Sequence, residues 1–179
     1  MSLASGLPTR TLHGRFWHQG PPRFPTLSVA DPAVTSGRFH TVGMAGVWYA
    51  SDQQQAAWAE LFRHTLGSGI DPFEIRRRIG AVQVAGLEVL DLTDRGVRDR
   101  LGVSEADLIG DDYRRSRQIA EDVAGMVGGI LSRSAALPGR RTLAVFPAGM
   151  ARLSEESTRV ASAPPRLAGL APSIRVRAS

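Results

Sequence analysis

Five positions carry side chains suited to chemistry: Arg15, Arg38, Tyr49, Glu60 and a serine at 132 or 134. Arg15 stands in the strand-like segment Thr-Leu-His-Gly-Arg-Phe-Trp that spans 11–17. A guanidinium fixed there can grip a phosphate or carboxylate through two parallel N–H bonds, or it can snorkel at a sheet edge with no ligand. Gly37-Arg38-Phe39-His40 joins a residue that lets the backbone approach a ligand to a second guanidinium, and a turn with a solvated arginine reads equally well. Tyr49, Ser51 and Glu60 fall on one strand-to-helix unit. The phenol there is either core or a stacking platform, and the carboxylate is either solvated or placed to stabilise positive charge. In Gly129-Ile-Leu-Ser-Arg-Ser134 the serines can donate hydrogen bonds or simply turn the chain. No Gly-x-Ser-x-Gly elbow and no His/Asp pattern accompanies them, so an acyl-transfer triad is unsupported. His13, His18, His40 and His64 lack the spacing of metal ligands, and no metal site is expected.

Composition narrows the chemistry further. The 22 basic residues among 179 are all arginine, against 17 acidic ones, and cysteine is absent. Schiff-base and P-loop lysines, thiol nucleophiles, disulfides and thiolate metal sites are therefore excluded. The net charge of +5 is modest for one domain. An Arg-for-Lys bias explains most of it, and a positive site for phosphate is the alternative. A nucleic-acid face ranks lower. The arginine clusters include Arg76–Arg78 and Arg114–Arg115, aromatics are 6%, and strand alternation would split the first cluster between two faces. No run reaches the length of a membrane span, and the segment Met1–Thr11 has no signal-peptide pattern, so a cytoplasmic protein without membrane partners is the expectation.

The elements that would position these residues follow from periodicity. A first strand covers 11–17, with Leu12 and Phe16 inward, and a Pro/Gly/Ser loop follows from Gly20 to Gly37. A buried strand spans 46–50. A helix then opens on a capping box of Ser51 and Gln54 and stops at Gly67, burying Trp58, Leu61, Phe62 and Thr65. Strands are expected at 73–79 and 82–92, broken at Gly86. Helices are expected at 94–101, 104–109 and 112–126, the last with Tyr113, Ile119, Val123 and Met126 inside. Two closing strands surround Ile130–Leu131 and 142–146. From Ala151 the composition shifts to Ser, Ala, Pro and Arg, and this segment carries a net +3 of the total charge. The expected organisation is a domain at 1–150 and an Arg/Ser/Pro-rich tail at 151–179. The expected fold class is α+β, with a mixed, largely antiparallel sheet and flanking helices.

Taken in order, the polar positions resemble the RES-domain family. Arg15 matches an arginine on its first strand, and Gly37-Arg38-Phe39-His40 matches its Gly-Arg-aromatic-polar segment. Tyr49-Ala50-Ser51 matches its Tyr-x-Ser, and Ala57-Trp58-Ala59-Glu60 its Ala-x-x-Glu. Gly129-Ile130 through Ser134-Ala135, with Leu143–Phe146, matches the closing motifs. His40 stands where asparagine is commoner. The family serine is Ser134 or Ser132, with Ser134 the better fit.

The resemblance implies a fold similar to the ADP-ribosyltransferases and the toxin role of a type II toxin–antitoxin pair that consumes NAD. The nicotinamide–ribose bond would be cleaved by hydrolysis or by phosphorolysis with inorganic phosphate. Transfer of ADP-ribose to a protein, or a degenerate site that only binds a partner, are the alternatives. The implied partner is an Xre-type antitoxin, through which alone nucleic acid is reached. Glu60, Arg38 and Ser134 would be catalytic. Arg15, Arg38, Tyr49 and Ser134 would bind NAD, with the two arginines on its pyrophosphate.

Overall fold

The computed structural model describes residues 6–31, 33–66 and 68–175. Six strands form its sheet: β1 (Thr9–Gly20), β2 (Trp48–Ser51), β3 (Arg77–Asp91), β4 (Gly129–Arg133), β5 (Arg141–Val145) and β6 (Leu153–Ala161). Four helices accompany them: α1 (Gln54–Thr65), α2 (Arg95–Leu101), α3 (Glu105–Ile109) and α4 (Arg114–Val123). The strand order is β1-β2-β5-β4-β3-β6, and β1 also pairs along β3, so five of the strands join in a ring. Only the β3–β4 pair is parallel. The α+β class with a mostly antiparallel sheet is the one expected from the sequence.

Inside the ring, Leu12, Phe16, Trp48, Val82, Val84 and Leu143 pack together. On the outer side, α2–α4 bury Leu101, Leu108, Ile119 and Val123 against Leu90, Ile130 and Phe146. The third cluster joins Trp58 and Phe62 of α1 to Ala163, Leu167 and Ile174 near the C-terminus.

Several expected boundaries move, each for a local reason. Asp71 accepts the N–H of Phe73 and starts a turn, so the expected strand at 73–79 begins only at Arg77. That strand runs on through Gly86, which takes a positive φ of 70° as the extra residue facing the Leu12–His13 step of β1. What read as two strands is one. Ser51 does not cap α1 but ends β2, and Asp52 instead hooks Arg141 of β5 through its carboxylate and backbone. Helix α1 thus starts without a side-chain cap. Gly67, the expected stop, lies outside the described residues. Helix α4 ends at Val123, which leaves Met126 exposed.

The composition change at residue 151 falls inside the folded unit. Residues 153–161 are a sheet strand on β3, and a 3₁₀ segment at Pro165–Ser173 packs on α1. The polar composition that suggested a separate tail is in part that of an edge strand, whose solvent-facing residues are polar. Among the described residues, no helix is long and apolar enough to cross a membrane.

Candidate active site

A cavity of about 780 Å³ opens between the 20–40 loop, the edge of the sheet and α1. It lies within the size range of pockets for cofactor-sized ligands, roughly 300–1,000 Å³. Glu60 reaches it from the middle of α1, one turn before Arg63, so both side chains sit on the helix face that the sequence places off the apolar stripe.

Arg63 is 3% exposed and fully engaged. It donates to the carbonyls of Ala135 (3.2 Å) and Arg175 and pairs with Asp111. Ser134, at the end of β4, donates to Glu60 Oε1 at 3.4 Å. Burial pushes the Glu60 carboxyl above the ordinary range, while Arg38, Arg63, the Ser134 hydroxyl and the Ala136 backbone pull it back. The arrangement is a carboxylate at depth, facing the cavity, with two fixed guanidinium charges beside it.

Arg38 arrives from a turn closed by the Gly37–His40 bridge. One of its terminal nitrogens donates to the carbonyls of Leu108 (2.5 Å) and Gly110 (2.8 Å), and its plane lies 4.5 Å from the centre of the Tyr113 ring. Its charge stands beside Glu60, and burial lowers its pKa from the ordinary value. Much of its hydrogen-bonding fork therefore holds the end of α3 rather than open space.

Tyr49 is similarly engaged. Its hydroxyl accepts the Phe39 N–H at 3.0 Å and shares a hydrogen bond with His40 Nδ1 at 3.0 Å, so the phenol ties the strand to the turn. Burial raises its pKa, and burial lowers that of His40, so both are neutral. Gly37 is required here, because a Cβ would meet the His40 ring at 2.7 Å and the Tyr49 hydroxyl at 2.8 Å.

Three residues share one row across the sheet: Ser51, Thr142 and Ser132. All three line the cavity, and the hydroxyls of Thr142 and Ser132 are buried with no partner. Ser134 lies just behind the wall, where it accepts the N–H groups of Ala136 (3.2 Å) and Leu137 (3.0 Å). The two candidate serines therefore separate. Ser134 organises Glu60 and the following turn, whereas Ser132 faces the cavity with its hydrogen-bonding capacity unused.

Arg15 is not brought to this site. It is absent from the cavity wall and pairs at 2.6 Å with Glu156 on the edge strand, with 60% of its side chain exposed. The expected strand position is right, but the side chain takes the snorkelling alternative.

The sequence pattern of the RES domain matches residues 7–165. The chain belongs to the RES-domain family. A Mycobacterium tuberculosis protein named "Probable NAD(+) phosphorylase" is 51% identical over 178 residues, spanning 98% of this chain and 86% of that protein. The crystal structure of the M. tuberculosis MbcT–MbcA toxin–antitoxin complex contains a chain with the same fold. It has a TM-score of 0.77 and 21% identity, over 92% of each chain.

Further residues of this RES domain reach the cavity without having been singled out as site residues in the sequence, among them His18, Arg63, Tyr113 and Thr142. Arg63 had a readable signal, its place three residues after Glu60 on one helix face. Thr142 is placed only by strand register. His18 stacks on Trp48 at 5.1 Å, and its Nδ1–H donates to the Tyr49 carbonyl at 2.7 Å. Burial lowers its pKa, with Arg77 pushing the same way. The ring is a neutral tautomer whose Nε2 carries a lone pair. Among the described residues, no cluster of three or more His, Asp or Glu is arranged for a metal.

Proposed function

We propose that this RES domain consumes NAD by cleaving its nicotinamide–ribose bond, with phosphate as the acceptor, as the toxin of a type II toxin–antitoxin pair. The observation that carries the reading is Glu60, a half-buried carboxylate beside the charges of Arg38 and Arg63 at the wall of a cavity large enough for a dinucleotide. The 51% identical relative, named for NAD phosphorolysis, supports phosphate over water.

The chemistry suits these residues. Heterolysis sends the C1′–N bonding electrons to the pyridinium nitrogen, so nicotinamide leaves neutral and needs no proton. Positive charge develops on the ribose C1′–O4′ unit, as in glycoside cleavage. The Glu60 carboxylate stabilises that charge from a fixed position, or holds the ribose hydroxyls. A phosphate oxygen then bonds to that same anomeric carbon, C1″ in ADP-ribose numbering, giving ADP-ribose 1″-phosphate. The Ser132 and Thr142 hydroxyls supply unpaired donors inside the cavity, Tyr49 and Tyr113 its aromatic walls. An α+β fold with a ring of mostly antiparallel strands is in keeping with kinship to the ADP-ribosyltransferases. The proposed partner is an Xre-type antitoxin that covers the cleft. The fold shared with the toxin–antitoxin complex supports this assignment.

Purified protein incubated with NAD, with and without inorganic phosphate, and analysed by mass spectrometry tests the reading. The phosphorylated sugar is expected only with phosphate. ADP-ribose in both reactions would make water the acceptor. Intact NAD in both would sink NAD degradation and favour transfer to a protein or binding alone.

A further inference from the structure

The cavity has a second charged wall, distinct from the one around Glu60. Arg77 and Arg78 open β3 beside the end of β1; strand alternation turns them to opposite faces, and both still line the cavity, which wraps the strand end, with Arg23 nearby on the loop. Eight other arginines form ion pairs, at positions 10, 15, 63, 95, 98, 114, 133 and 141. Among the described residues, Arg23, Arg77 and Arg78 have no carboxylate within ion-pair distance.

Their partners are neutral and few. Arg77 Nε donates to the Gln19 side chain at 2.7 Å, and Arg78 donates to the Pro22 carbonyl at 2.8 Å. Arg78 Nε is buried with no partner at all. Arg23 lies over the Phe24 ring at 4.8 Å. The acidic residues lining the same cavity are Glu60 and Asp31. Glu60 is balanced by Arg38 and Arg63, and neither Arg77 nor Arg78 is among the charges acting on it. Asp31 accepts the Ala33 N–H at 2.9 Å within its own turn.

Cations on the wall of one cavity, partly withdrawn from water and without counter-charge, are costly unless an anion completes them. Guanidinium forks match phosphate oxygens in geometry and charge. We propose that Arg77 and Arg78 form the oxyanion subsite of this cavity and hold a phosphate group there. Resting on the NAD reading above, that group is the pyrophosphate of the dinucleotide or the free phosphate that accepts the ribose. The sequence assigned pyrophosphate binding to Arg15 and Arg38. The structure pairs Arg15 with Glu156 and ties Arg38 to α3, which leaves Arg77 and Arg78, with the more exposed Arg23, as the cavity cations with open capacity.

Isothermal calorimetry on the full chain, with inorganic pyrophosphate and inorganic phosphate as separate probes, tests the subsite without requiring turnover. Arg77→Gln and Arg78→Gln are expected to weaken at least one probe about 10-fold or more, the loss of a charge-assisted hydrogen bond. Arg15→Gln is the control and is expected to bind as wild type. Loss of pyrophosphate alone identifies the dinucleotide arm, and loss of phosphate alone the acceptor arm.

Without ligand, both variants are expected to melt at or above the wild-type temperature, because each removes an uncompensated charge. If either melts lower, Arg77→Lys and Arg78→Lys, which keep the charge and lose the fork, are measured in its place. Unchanged affinity for both probes in folded variants would overturn the proposal. Loss of probe binding in a protein that leaves NAD intact would keep the subsite and overturn the NAD reading alone.

Discussion

Ser134 donates its hydroxyl to Glu60 Oε1 across 3.4 Å while Ser134 Oγ itself accepts the N–H groups of Ala136 and Leu137. One atom thus joins the carboxylate to the turn that supports it. Ser134→Ala would leave two buried N–H groups unpaired, at a cost of about 1–3 kcal/mol. Ser132 has no partner for its hydroxyl, so Ser132→Ala removes no internal bond. Chemical denaturation should show Ser134→Ala destabilised and Ser132→Ala near wild type. Steady-state kinetics should show the reverse emphasis, with KM for NAD raised about 2- to 10-fold in Ser132→Ala, the worth of one hydrogen bond. Equal stability loss in both variants would contradict the separation of roles.

The acidic limb of the pH–rate profile should report Glu60. Burial raises its pKa, so protonation sets in above the ordinary 4.5, and activity that depends on the carboxylate is lost as pH falls through the raised value. Arg63 lowers that pKa by its charge. Arg63→Met should therefore move the acidic limb of kcat/KM to higher pH, whereas Glu60→Gln should abolish the limb along with about 100-fold or more of the rate. A limb that stays in place in Arg63→Met would mean that another group titrates.

How much of this was legible in the sequence differs by element. Glu60, Arg38 and Tyr49 sit where local signals put them: a helix interior, a glycine turn and a strand end. Their neighbours in the fold were not visible, because each is fixed by pairing between distant segments. Arg38 meets carbonyls some 70 positions away, and Thr142 meets Ser132 only through the β4–β5 register. Arg15 shows the limit of motif reading. The strand is correct, but which sheet face carries the side chain depends on the bulge at Leu12/His13 and on Glu156 across the sheet. The C-terminal strand was missed because an edge strand is polar by necessity, and Leu-Ser-Glu-Glu-Ser-Thr-Arg reads as a tail.

His18 and His40 should make stability fall on mild acidification. Burial lowers both pKa values below the ordinary 6.5, so the unfolded chain binds protons that the folded chain refuses. Their contribution is fully present above about pH 6.5 and is lost as pH falls from there through the lowered values, by at most about 1.4 kcal/mol per pH unit for each ring. His18→Gln keeps a donor for the Tyr49 carbonyl and removes the titration. Urea denaturation between pH 7 and 5 should give a shallower slope for this variant than for wild type, and an identical slope would exclude His18 as a source.

Gly37→Ala should damage the site without touching a reacting group. The added Cβ would sit 2.7 Å from the His40 ring and 2.8 Å from the Tyr49 hydroxyl, inside van der Waals contact. The turn must shift, and with it Arg38 and the Phe39 N–H that Tyr49 accepts. Overpacking of this kind costs about 1–3 kcal/mol. A lower melting temperature together with a fall in kcat is expected. Wild-type kinetics in a folded Gly37→Ala protein would show that the turn geometry is dispensable.

The C-terminal segment should be part of the active unit rather than an appendage. Leu167 and Ile174 are buried against α1, and the Arg175 carbonyl accepts from Arg63, the same guanidinium that faces Glu60. Ending the chain at Ser162 would expose two large apolar side chains' worth of α1 surface, about 3–6 kcal/mol. It would also free Arg63 from one of its three anchors. Leu167→Ala with Ile174→Ala isolates the packing, since the Arg175 carbonyl is retained. Both proteins should melt earlier than wild type, and the truncated one should in addition show its acidic limb displaced, because Arg63 no longer stands fixed beside Glu60. A truncated protein with wild-type melting and an unmoved limb would show that residues 163–179 contribute neither to the core nor to the carboxylate.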